Sequence, residues 1–511
     1  MADIKREIER KYEVGEGGGV PDLGAVAGVA DVAERGLTDL DAVYYDTVDQ
    51  RLAAASITLR RRTGGADAGW HLKLPVAEGV RDEVRSPLSD TVPRELTGLV
   101  RSRIRGAELA PVVRLLSARD IRHLLDADGA LLAEVSVDAV RAERLTTGGG
   151  TAAWTEIEVE LADDGDPAFL DKVEKKLRKA GLRRSASPSK LARALAETAP
   201  RGKKNGTSGK KAAVSDPRTA GAYVLAYLRT QRDAIVALDP AVRRDAPDSV
   251  HQMRVATRRM RSAFRSYRQV LDRAVTDPIG DELKWLAGEL GVDRDQEVLT
   301  ERLTAHLGEL PRTLVAGPVR TRLRTWAHAR SSGSRRRLIA VLDGKRYLTL
   351  LDTLDALVGA PPLRKAAAQE PRQVIGKALR RDFGTLSDLV LHALDTDPGT
   401  DRDLALHEAR KKAKRVRYAA EVAVGALGRP AKDLVRSMKT LQSLLGDHQD
   451  SVMTRLALRD LAAQAHGAGE SAFTYGVLYG REELRAYWCE EALPEAWETT
   501  ERGSRAVRRT R

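Results

Sequence analysis

The sequence predicts two folds in one chain, an α+β part followed by an all-α part. Residues 1–198 contain short period-two or β-branched runs separated by Gly, Asp and Pro clusters, a pattern typical of strands. Residues 217–500 instead repeat Ala, Leu and Arg at helical spacing, which is typical of a helical bundle. Residues 199–216 are rich in Gly, Ser and Lys without an apolar period, so they predict a flexible linker, and residues 501–511 form a basic tail.

The strands and helices of the first part follow one another along the chain. The strand candidates are REIERKYEV, SITLRRRTG, WHLKLP, LLAEVSVDAV and WTEIEVEL. The helix candidates are PDLGAVAGVA, VPRELTGLVRSRI and DPAFLDKVEKKLRKAG, and the last ends at Gly181 as a C-cap glycine would. In the second part the clearest helices are GAYVLAYLRTQRDAIVAL, DELKWLAGELG and DLVRSMKTLQSLLG. We therefore expect an antiparallel sheet with helices, followed by helices alone.

The overall charge favours a polyanionic partner. The 511 residues contain 86 Lys and Arg against 73 Asp and Glu, and the calculated pI is near 9.7. Cys489 is the single cysteine, which excludes an intramolecular disulfide and fits a reducing compartment. The charged N-terminus does not resemble a signal peptide, and no apolar run approaches the length of a membrane span. We therefore expect a cytoplasmic protein that does not enter the membrane.

Charged residues in the first part share strand faces. In EIERK, the residues Glu7, Glu9 and Lys11 alternate, so their side chains project from one face of a strand. The same spacing joins Glu156, Glu158 and Glu160 in WTEIEVEL, Arg60 and Arg62 in TLRRR, and Glu83 and Arg85 in RDEVR; other charges are Lys73, Arg119, Arg122, Asp138 and Lys190. Each face taken singly fits the solvated side of a half-buried sheet. Acidic strands near both ends and basic strands between them favour a sheet closed around a charged lumen.

Such a lumen suits a metal-bound polyphosphate. Carboxylates are hard oxygen ligands for Mg²⁺ or Mn²⁺, whereas Arg and Lys match phosphate oxygens. Phosphoryl transfer depends mainly on neutralising charge and on placing a water in line, so it needs no Ser/His/Asp grouping.

In this ordered set of residues, the first part resembles the CYTH superfamily of triphosphate tunnel enzymes. The resemblance implies an eight-stranded antiparallel tunnel that hydrolyses or cyclises triphosphates with a divalent metal. Glu7, Glu9 and Lys11 would be catalytic. The implied metal ligands are Glu7, Glu9, Glu158 and Glu160, with Asp138 and Glu156 as further candidates. The implied phosphate ligands are Lys11, Arg60, Arg62, Lys73, Arg85, Arg119 and Lys190, with Arg122 as the alternative to Arg119.

The second part contains one pattern twice. On a helix, His251, Arg254, Arg258, Arg261 and Arg265 follow spacings of 3, 4, 3 and 4 and form one stripe, opposite an apolar stripe of Met253, Ala256, Met260, Phe264 and Tyr267. The second copy is His407, Arg410, Lys414 and Arg417, with Glu421 where the first copy has Arg265. Each copy is followed by a helix ending in Leu-Gly and then by an aspartate, Asp295 or Asp450. This repetition predicts an internal duplication that brings both basic stripes to one cavity.

A charge run is usually a solvated face, but these stripes lack the acidic partners at i, i+4 that such a face carries. The layout resembles the CHAD domain, and the resemblance implies a duplicated four-helix unit lining a basic pore that binds inorganic polyphosphate. The same resemblance adds Arg346, Lys377, Arg380 and Arg381 as candidate ligands. The two histidines lack the Cys or second His that a zinc site needs.

Together these features predict an inorganic triphosphatase that uses Mg²⁺ or Mn²⁺ on tripolyphosphate, tethered to a polyphosphate-binding module. A cytoplasmic location on polyphosphate granules would fit this function. The alternatives are a non-catalytic polyphosphate scaffold, and an adenylyl cyclase or organic triphosphate hydrolase of the same superfamily. Nucleic acid is disfavoured as a partner, because aromatic residues make up only 4% of the chain and do not interleave with the basic stripes.

Overall fold

The computed structural model describes residues 3–14, 20–200, 218–331 and 333–509. The chain divides into two compact units, residues 1–206 and 207–511. Of the predicted linker, only residues 199 and 200 are among the described residues. None of the described helices has an apolar stretch long enough to span a membrane.

The first unit is a closed antiparallel β barrel. Its strands are β1 Asp3–Glu13, β2 Asp31–Asp46, β3 Thr58–Thr63, β4 Gly69–Ala77, β5 Val80–Ser86, β6 Ala110–Leu125, β7 Leu131–Arg144, β8 Thr151–Leu161 and the short β9 Arg183–Arg184. Its helices are α1 Arg51–Ala54, α2 Arg94–Ile104, α3 Ala168–Lys179 and α4 Lys190–Glu197. The strand order is β5-β4-β3-β2-β6-β7-β8-β1, and β1 pairs back to β5 to close the barrel. The eight-stranded tunnel is therefore confirmed.

Strand β1 closes the barrel by pairing with two neighbours. Its first half, residues 3–8, pairs with β5, and its second half pairs with β8. In the second register Glu9 lies opposite Glu160 and Lys11 lies opposite Glu158. The acidic strands β1 and β8, which stand near the two ends of the first unit's sequence, are thus neighbours, because closure of the barrel brings the ends of the sheet together.

The sequence predicts most, but not all, of the helices and strands of the first unit. The helices predicted around residues 92–104 and 166–181 are present as α2 and α3, and Gly181 has the positive φ of 84° expected after a helix end. The helix predicted for PDLGAVAGVA, residues 21–30, is wrong, since this segment consists of turns that bury Leu23 and Val26. Gly28 there has φ 103°, which a helix cannot accommodate. Strands β2 and β6 were not anticipated.

The described part of the second unit is built from helices. They are α5 Ala220–Arg243, α6 Ser249–Ser266, α7 Arg273–Glu289, α8 Gly291–Gly308, α9 Val319–Ser331, α10 Ser334–Asp343, α11 Lys345–Gly359, α12 Pro371–Asp395, α13 Thr400–Leu427, α14 Arg429–Gly467 and α15 Phe473–Arg509. The all-α prediction is confirmed. Residues 501–509 of the predicted basic tail belong to α15.

Two hydrophobic clusters stabilise this unit. The larger one joins α5–α7 and α10–α14 with the C-terminal half of α15, and it contains all five residues of the predicted apolar stripe on α6. The smaller one joins α8 and α9 to the C-terminal half of α14 and the start of α15. Helix α14 is one continuous helix through Leu445 and Gly446. The prediction that the helix after the second stripe ends at this Leu-Gly is therefore wrong. In the first copy, α7 does end beside Leu290 and Gly291.

Candidate functional site

The barrel encloses a cavity of about 300 Å³ whose lining is mostly charged. Nine basic side chains line it, namely Lys5, Lys11, Arg60, Arg62, Lys73, Arg81, Arg85, Arg119 and Lys190. Seven acidic side chains line it as well, namely Glu7, Glu9, Asp67, Glu83, Glu134, Glu158 and Glu160. All predicted catalytic and phosphate-binding residues of the first unit are therefore brought together in one cavity.

The carboxylates of β1 and the end of β8 form one part of this lining. Lys73 donates to Glu7 at 2.5 Å, and Lys5 donates to Glu160 at 2.8 Å. Glu9 is buried and its nearest cation is Lys11, at 3.3 Å. Burial raises the pKa of Glu7 to about 7; Lys73 opposes this shift, while the negative charges of Glu83 and Glu160 add to it. Glu7 is thus an incompletely neutralised carboxylate, which suits a cation ligand.

Glu158 has a different environment, because cations already surround it. Lys11 forms an ion pair with it, Arg119 donates to it at 2.9 Å, and Lys190 lies 2.6 Å away. Burial alone would raise the pKa of Glu158, but the positive charges of Lys11, Lys190 and Arg119 hold it well below its usual range. Glu158 is therefore ionised, and its negative charge is balanced by the cations around it.

Two predicted metal ligands lie behind the cavity wall. Asp138 is completely buried and accepts two hydrogen bonds of 2.7 Å from Arg119. Glu156 is also buried and accepts a hydrogen bond of 2.6 Å from the indole of Trp154. Neither is among the residues lining the cavity, and both contact Lys190. Their contacts are with cations and with an indole of the chain itself.

Arginines of β3 supply a second, basic part of the lining. Arg60 donates to the hydroxyl of Tyr44 at 3.3 Å, and Arg62 forms an ion pair with Asp67. Burial, together with the positive charges of Arg60 and Arg119, lowers the pKa of Arg62 to about 9. Guanidinium groups held this close favour an anion between them.

The two candidate arginines of β6 have different surroundings. Arg119 lines the cavity, whereas Arg122 forms an ion pair of 2.9 Å with Asp120 and is not among the lining residues. Residues that sequence reasoning missed include Lys5 and Arg81. The alternation of side chains along a strand could have identified both as residues of the charged face. Lys5 precedes Glu7, and Arg81 precedes Glu83, by two positions on the same strand.

A buried histidine was also missed. His71 Nδ1 lies 2.9 Å from Glu83 Oε1, and His71 Nε2 lies 2.9 Å from the backbone oxygen of Asp67. Burial would raise the pKa of Glu83, but the hydrogen bond with His71 and the charges of Lys73 and Arg60 hold it well below its usual range. Glu83 in turn accepts a hydrogen bond of 2.5 Å from Arg85, so it orients a predicted phosphate ligand.

In the second unit, the two basic stripes lie side by side. Helices α6 and α13 pack against each other. Burial, together with the positive charges of Arg410 and Arg258, lowers the pKa of Lys414 to about 7, and the nearby Asp450 opposes this shift. Arg258 belongs to the first stripe and Lys414 to the second, so residues of the two stripes lie near each other on these packed helices, and we call the two stripes together the basic surface.

Several members of this surface have partners from the chain. His407 Nδ1 lies 2.5 Å from the amide oxygen of Gln449, and Arg410 lies 3.8 Å from Asp450. The side chain of Asp295, its counterpart in the first copy, lies outside the described residues. Arg417 donates to Gln442 at 2.9 Å and to Glu421 at 3.2 Å.

Glu421 is the acceptor for a small network at one place on this surface. It accepts hydrogen bonds of 3.0 Å from Arg259 and 2.7 Å from the hydroxyl of Tyr227, in addition to that from Arg417. Both arginines lie over the ring of Tyr418. The residue that breaks the repeat therefore fixes two guanidinium groups.

The remaining predicted ligands divide into two groups. Arg381 donates to the backbone oxygen of Ser266 at 2.7 Å, next to the end of α6. Arg415 was not predicted from the sequence. Burial lowers the pKa of its guanidinium, and the positive charges of Arg265 and Arg381 add to this shift. Lys377 on α12 is exposed and Arg380 is half-buried. Arg346 instead forms an ion pair of 2.7 Å with Glu282 of α7 and lies over the ring of Trp285.

Comparisons with known proteins divide the chain at the same place. A family model described as a CYTH domain matches residues 5–195, and one described as a CHAD domain matches residues 226–459. Two uncharacterized proteins of Mycobacterium tuberculosis, from strains CDC 1551 / Oshkosh and H37Rv, are each 39% identical over 517 residues, which covers 98% of this chain and 98% of theirs.

Solved structures of lower identity also align with parts of the chain. PptA from Streptomyces chartreusis is 20% identical, covers 55% of this chain and 99% of its own, and has a TM-score of 0.46. The CHAD domain from the plant Ricinus communis is 21% identical, with coverages of 57% and 93% and a TM-score of 0.41. A putative adenylyl cyclase from Hippeastrum, described as having a dominant triphosphatase activity, is 19% identical, with coverages of 38% and 96% and a TM-score of 0.23.

Proposed function

Since this chain belongs to the CYTH family of triphosphate tunnel proteins and carries a CHAD domain as well, we propose that its barrel hydrolyses inorganic tripolyphosphate with a divalent metal. We also propose that its helical unit binds inorganic polyphosphate. The observation that carries the first proposal is the enclosed cavity in which sixteen charged side chains of both signs converge.

The lining favours an inorganic substrate over a nucleotide. Among the described residues that line the cavity, the only aromatic ring is that of Tyr44, which is buried and uses its hydroxyl to contact Arg60. The larger apolar members are Leu40 and Ile121. A nucleobase would need a flat apolar surface on which to stack, and a phosphate chain would need only the charges.

The carboxylates of the cavity supply the oxygen donors that a hard divalent cation prefers. Glu7, Glu9 and Glu160 would hold it, because they line the cavity and Glu7 is incompletely neutralised. When bound, Mg²⁺ or Mn²⁺ would neutralise phosphate oxygens and make a coordinated water more acidic. A bound dication would hold Glu7 in its ionised form against the effect of burial, so its role in this proposal is that of a metal ligand.

The arginines of the cavity position the substrate. Arg60 and Arg62 on β3 and Arg85 on β5 present guanidinium groups whose donors match phosphate oxygens in pairs. Asp67 occupies Arg62 and would have to give way to a phosphate. Glu83 holds Arg85 in place, so a terminal phosphate can be fixed without further movement of β5.

The basic surface of the helical unit suits a linear polyanion without bases. Its aromatic member Tyr418 is buried beneath Arg259 and Arg417, so the ring offers no face for stacking. This arrangement favours polyphosphate over single-stranded nucleic acid. Binding to long polyphosphate would raise the concentration of substrate near the barrel or keep the protein on polyphosphate deposits.

The deciding experiment measures phosphate release from tripolyphosphate by the full-length protein with Mg²⁺, Mn²⁺ or EDTA. A Glu7→Gln, Glu9→Gln variant is compared with Glu143→Gln, which removes a carboxylate from an exposed position on β7. We expect metal-dependent release that the double variant loses by a factor of at least about 100 and that Glu143→Gln retains.

Three results would contradict the proposed function of the barrel. Equal turnover of ATP would indicate an organic triphosphate hydrolase, and conversion of ATP to a cyclic nucleotide with pyrophosphate would indicate a cyclase. Absence of release with either metal, in a protein that still binds polyphosphate, would indicate a scaffold. For the helical unit, RNA that displaces polyphosphate at equal charge concentration would contradict polyphosphate as the preferred ligand.

A further inference from the structure

Three buried carboxylates beside the tunnel already hold a cation that belongs to the chain. Lys190 Nζ lies 2.9 Å from Asp138 Oδ2, 2.8 Å from Glu156 Oε1 and 2.6 Å from Glu158 Oε1. One oxygen from each carboxylate lies within 4.8 Å of the others, a spacing at which three oxygens can bind a single cation. We call Asp138, Glu156 and Glu158 the carboxylate cage.

The three carboxylates of the cage are matched by three cations of the chain, one of which, Lys11, also lies 3.3 Å from Glu9. The three negative charges face the ammonium of Lys190, the guanidinium of Arg119 on Asp138, and the ammonium of Lys11 on Glu158. A dication added to this buried group would find no net negative charge to attract it, because three cations of the chain already match the three carboxylates. It would also need the position that Lys190 occupies.

Lys190 is held in place by the helix that carries it. The hydroxyl of Ser189 caps α4 by accepting a hydrogen bond of 3.1 Å from the amide of Ala192. Leu191 and Ala194 of α4 are buried in the same hydrophobic cluster as Trp154 of β8. Lys190 is itself 8% exposed. Its three N–H groups face three carboxylates, so none is left to donate to a phosphate.

We propose that Lys190 is a resident substitute for a divalent ion in the tunnel. Its ammonium fills the carboxylate cage, and metal binding is confined to Glu7, Glu9 and Glu160, further along β1 and β8. Lys190, Asp138 and Glu156 then act as positioning residues that fix Arg119 and Glu158, and they do not contact the substrate. This inference rests on the proposed function, because it assigns the place of the metal within the same tunnel.

The test counts Mn²⁺ ions bound by the full-length protein, from the electron paramagnetic resonance signal of the free ion at equilibrium. Lys190→Ala empties the carboxylate cage, and we expect it to bind one more Mn²⁺ than the wild type. Lys11→Ala is the matched control, since it removes one positive charge from Glu158 but leaves Lys190 on all three carboxylates. It should gain no ion. Any Mn²⁺ bound in the helical unit, for example by Asp403, His448 and Glu490, is common to all variants.

A second pair of variants gives an independent answer. In the wild type, Asp138→Asn should leave the number of bound Mn²⁺ ions unchanged, whereas in the Lys190→Ala background it should abolish the extra ion. The inference is overturned if Asp138→Asn alone loses an ion, or if Lys190→Ala gains none. If Lys190→Ala is unfolded without metal, circular dichroism during a Mn²⁺ titration replaces the count, and failure to refold at saturation overturns the inference.

The failure of the proposed function gives a different result. If the Glu7→Gln, Glu9→Gln variant binds as many Mn²⁺ ions as the wild type, the proposed metal site of the tunnel is wrong. The extra ion in Lys190→Ala would then still support the role of Lys190.

Discussion

Arg119 and Arg122 stand three positions apart on β6 but have different surroundings, and this difference yields a prediction for single residues. Arg119→Ala should lower kcat/KM for tripolyphosphate by a factor of at least about 100, because a donor at the phosphates is lost. It should also lower the free energy of unfolding by about 2–3 kcal/mol, since Asp138 loses two hydrogen bonds but keeps its ion pair with Lys190. Phosphate release and urea unfolding measure the two effects.

Arg122→Ala is the control for this prediction. Its partner Asp120 is partly exposed, so both quantities should stay near the wild-type values, with kcat/KM within about twofold. Arg119→Lys separates the two effects, because it keeps a charge beside Asp138 but loses the two-pronged guanidinium. A tunnel that tolerates Arg119→Ala and fails with Arg122→Ala would refute the placement of β6.

Lys414 makes polyphosphate binding depend on pH. Its pKa is lowered to about 7 in the free protein, chiefly by burial and by Arg410 and Arg258, and a bound polyanion favours the protonated form. Binding therefore takes up a proton above pH 7, so the affinity should fall as the pH rises through about 7 and onward. We expect a loss of up to about tenfold per pH unit from this group, measured by calorimetry between pH 6 and pH 8.5.

Two variants test the origin of this pH dependence. Lys414→Met should bind more weakly at pH 6 and show a flatter profile, because no ammonium is left to titrate. Lys377→Met, which removes an exposed lysine of α12, should keep the slope of the wild type. A slope that survives in Lys414→Met would assign the titration to another group.

Single residues were predictable where alternation alone decides which way they face. EIERK places Glu7, Glu9 and Lys11 on one strand face, and the structure has all three in the cavity. The cage around Lys190 was not predictable in this way, because it depends on how α4 packs against β8 and how β7 and β8 pair. The pairing of His71 with Glu83 likewise needs the register of β4 and β5, which no local pattern encodes.

The Leu-Gly that follows each basic stripe places a glycine opposite an arginine of that stripe. A methyl group added at Gly291, the first residue of α8, would lie 2.9 Å from Arg254 Nη2. At Gly446, inside α14, it would lie 3.8 Å from Arg410 Nη2, an ordinary contact. Each glycine therefore faces the same arginine of its own copy, but only the first is in close contact with it.

The prediction for these helices follows from this difference. Gly291→Ala should displace the guanidinium of Arg254 and weaken polyphosphate binding by about threefold to tenfold, whereas Gly446→Ala should change it by less than about twofold. Gly446→Ala should also raise helix stability by up to about 1 kcal/mol, since alanine is the better helix former. Calorimetry and thermal unfolding measure both variants.

A double-mutant cycle tests the mechanism. In an Arg254→Ala background, Gly291→Ala should cause no further loss of affinity, because the group that it displaces is gone. Additive losses would show that Gly291 acts through the helix end and not through Arg254. Equal weakening by Gly446→Ala would show that the spacing to the arginine does not matter.

Elements were predictable from period where one face is buried and the other charged, as in β1, β8 and α6. The segment at residues 21–30 suggests a helix because its apolar residues are spaced as on one, but Gly28 adopts a backbone conformation that ends a helix. Strand β2 was missed because its first half is largely exposed and only its second half alternates between buried and half-buried residues. Its place is set by fifteen paired positions on β6, a long-range pairing that has no local signature.

At the scale of the whole molecule, the two units have separate cores. The three hydrophobic clusters of the first unit contain only residues up to 195, and the two of the second unit contain only residues from 220 onward. Because each described core is built from side chains of its own unit, we expect residues 1–200 and 218–511 to fold as separate proteins, each with its own cooperative unfolding transition. The boundary at residues 198–217 is then a prediction that fragments can test.

The two fragments also show what their covalent connection contributes. On tripolyphosphate, which occupies the tunnel alone, residues 1–200 should match the full chain in kcat/KM within about threefold. On long polyphosphate the full chain should bind more tightly than either fragment, because one ligand can engage both units and the second contact is intramolecular. An equimolar mixture of fragments should lack this gain.

If residues 1–200 are unfolded or inactive, the tunnel depends on the helical unit after all. If the full chain binds long polyphosphate no better than residues 218–511, the tunnel takes no part in holding the polymer, and the connection serves only to place the enzyme near it.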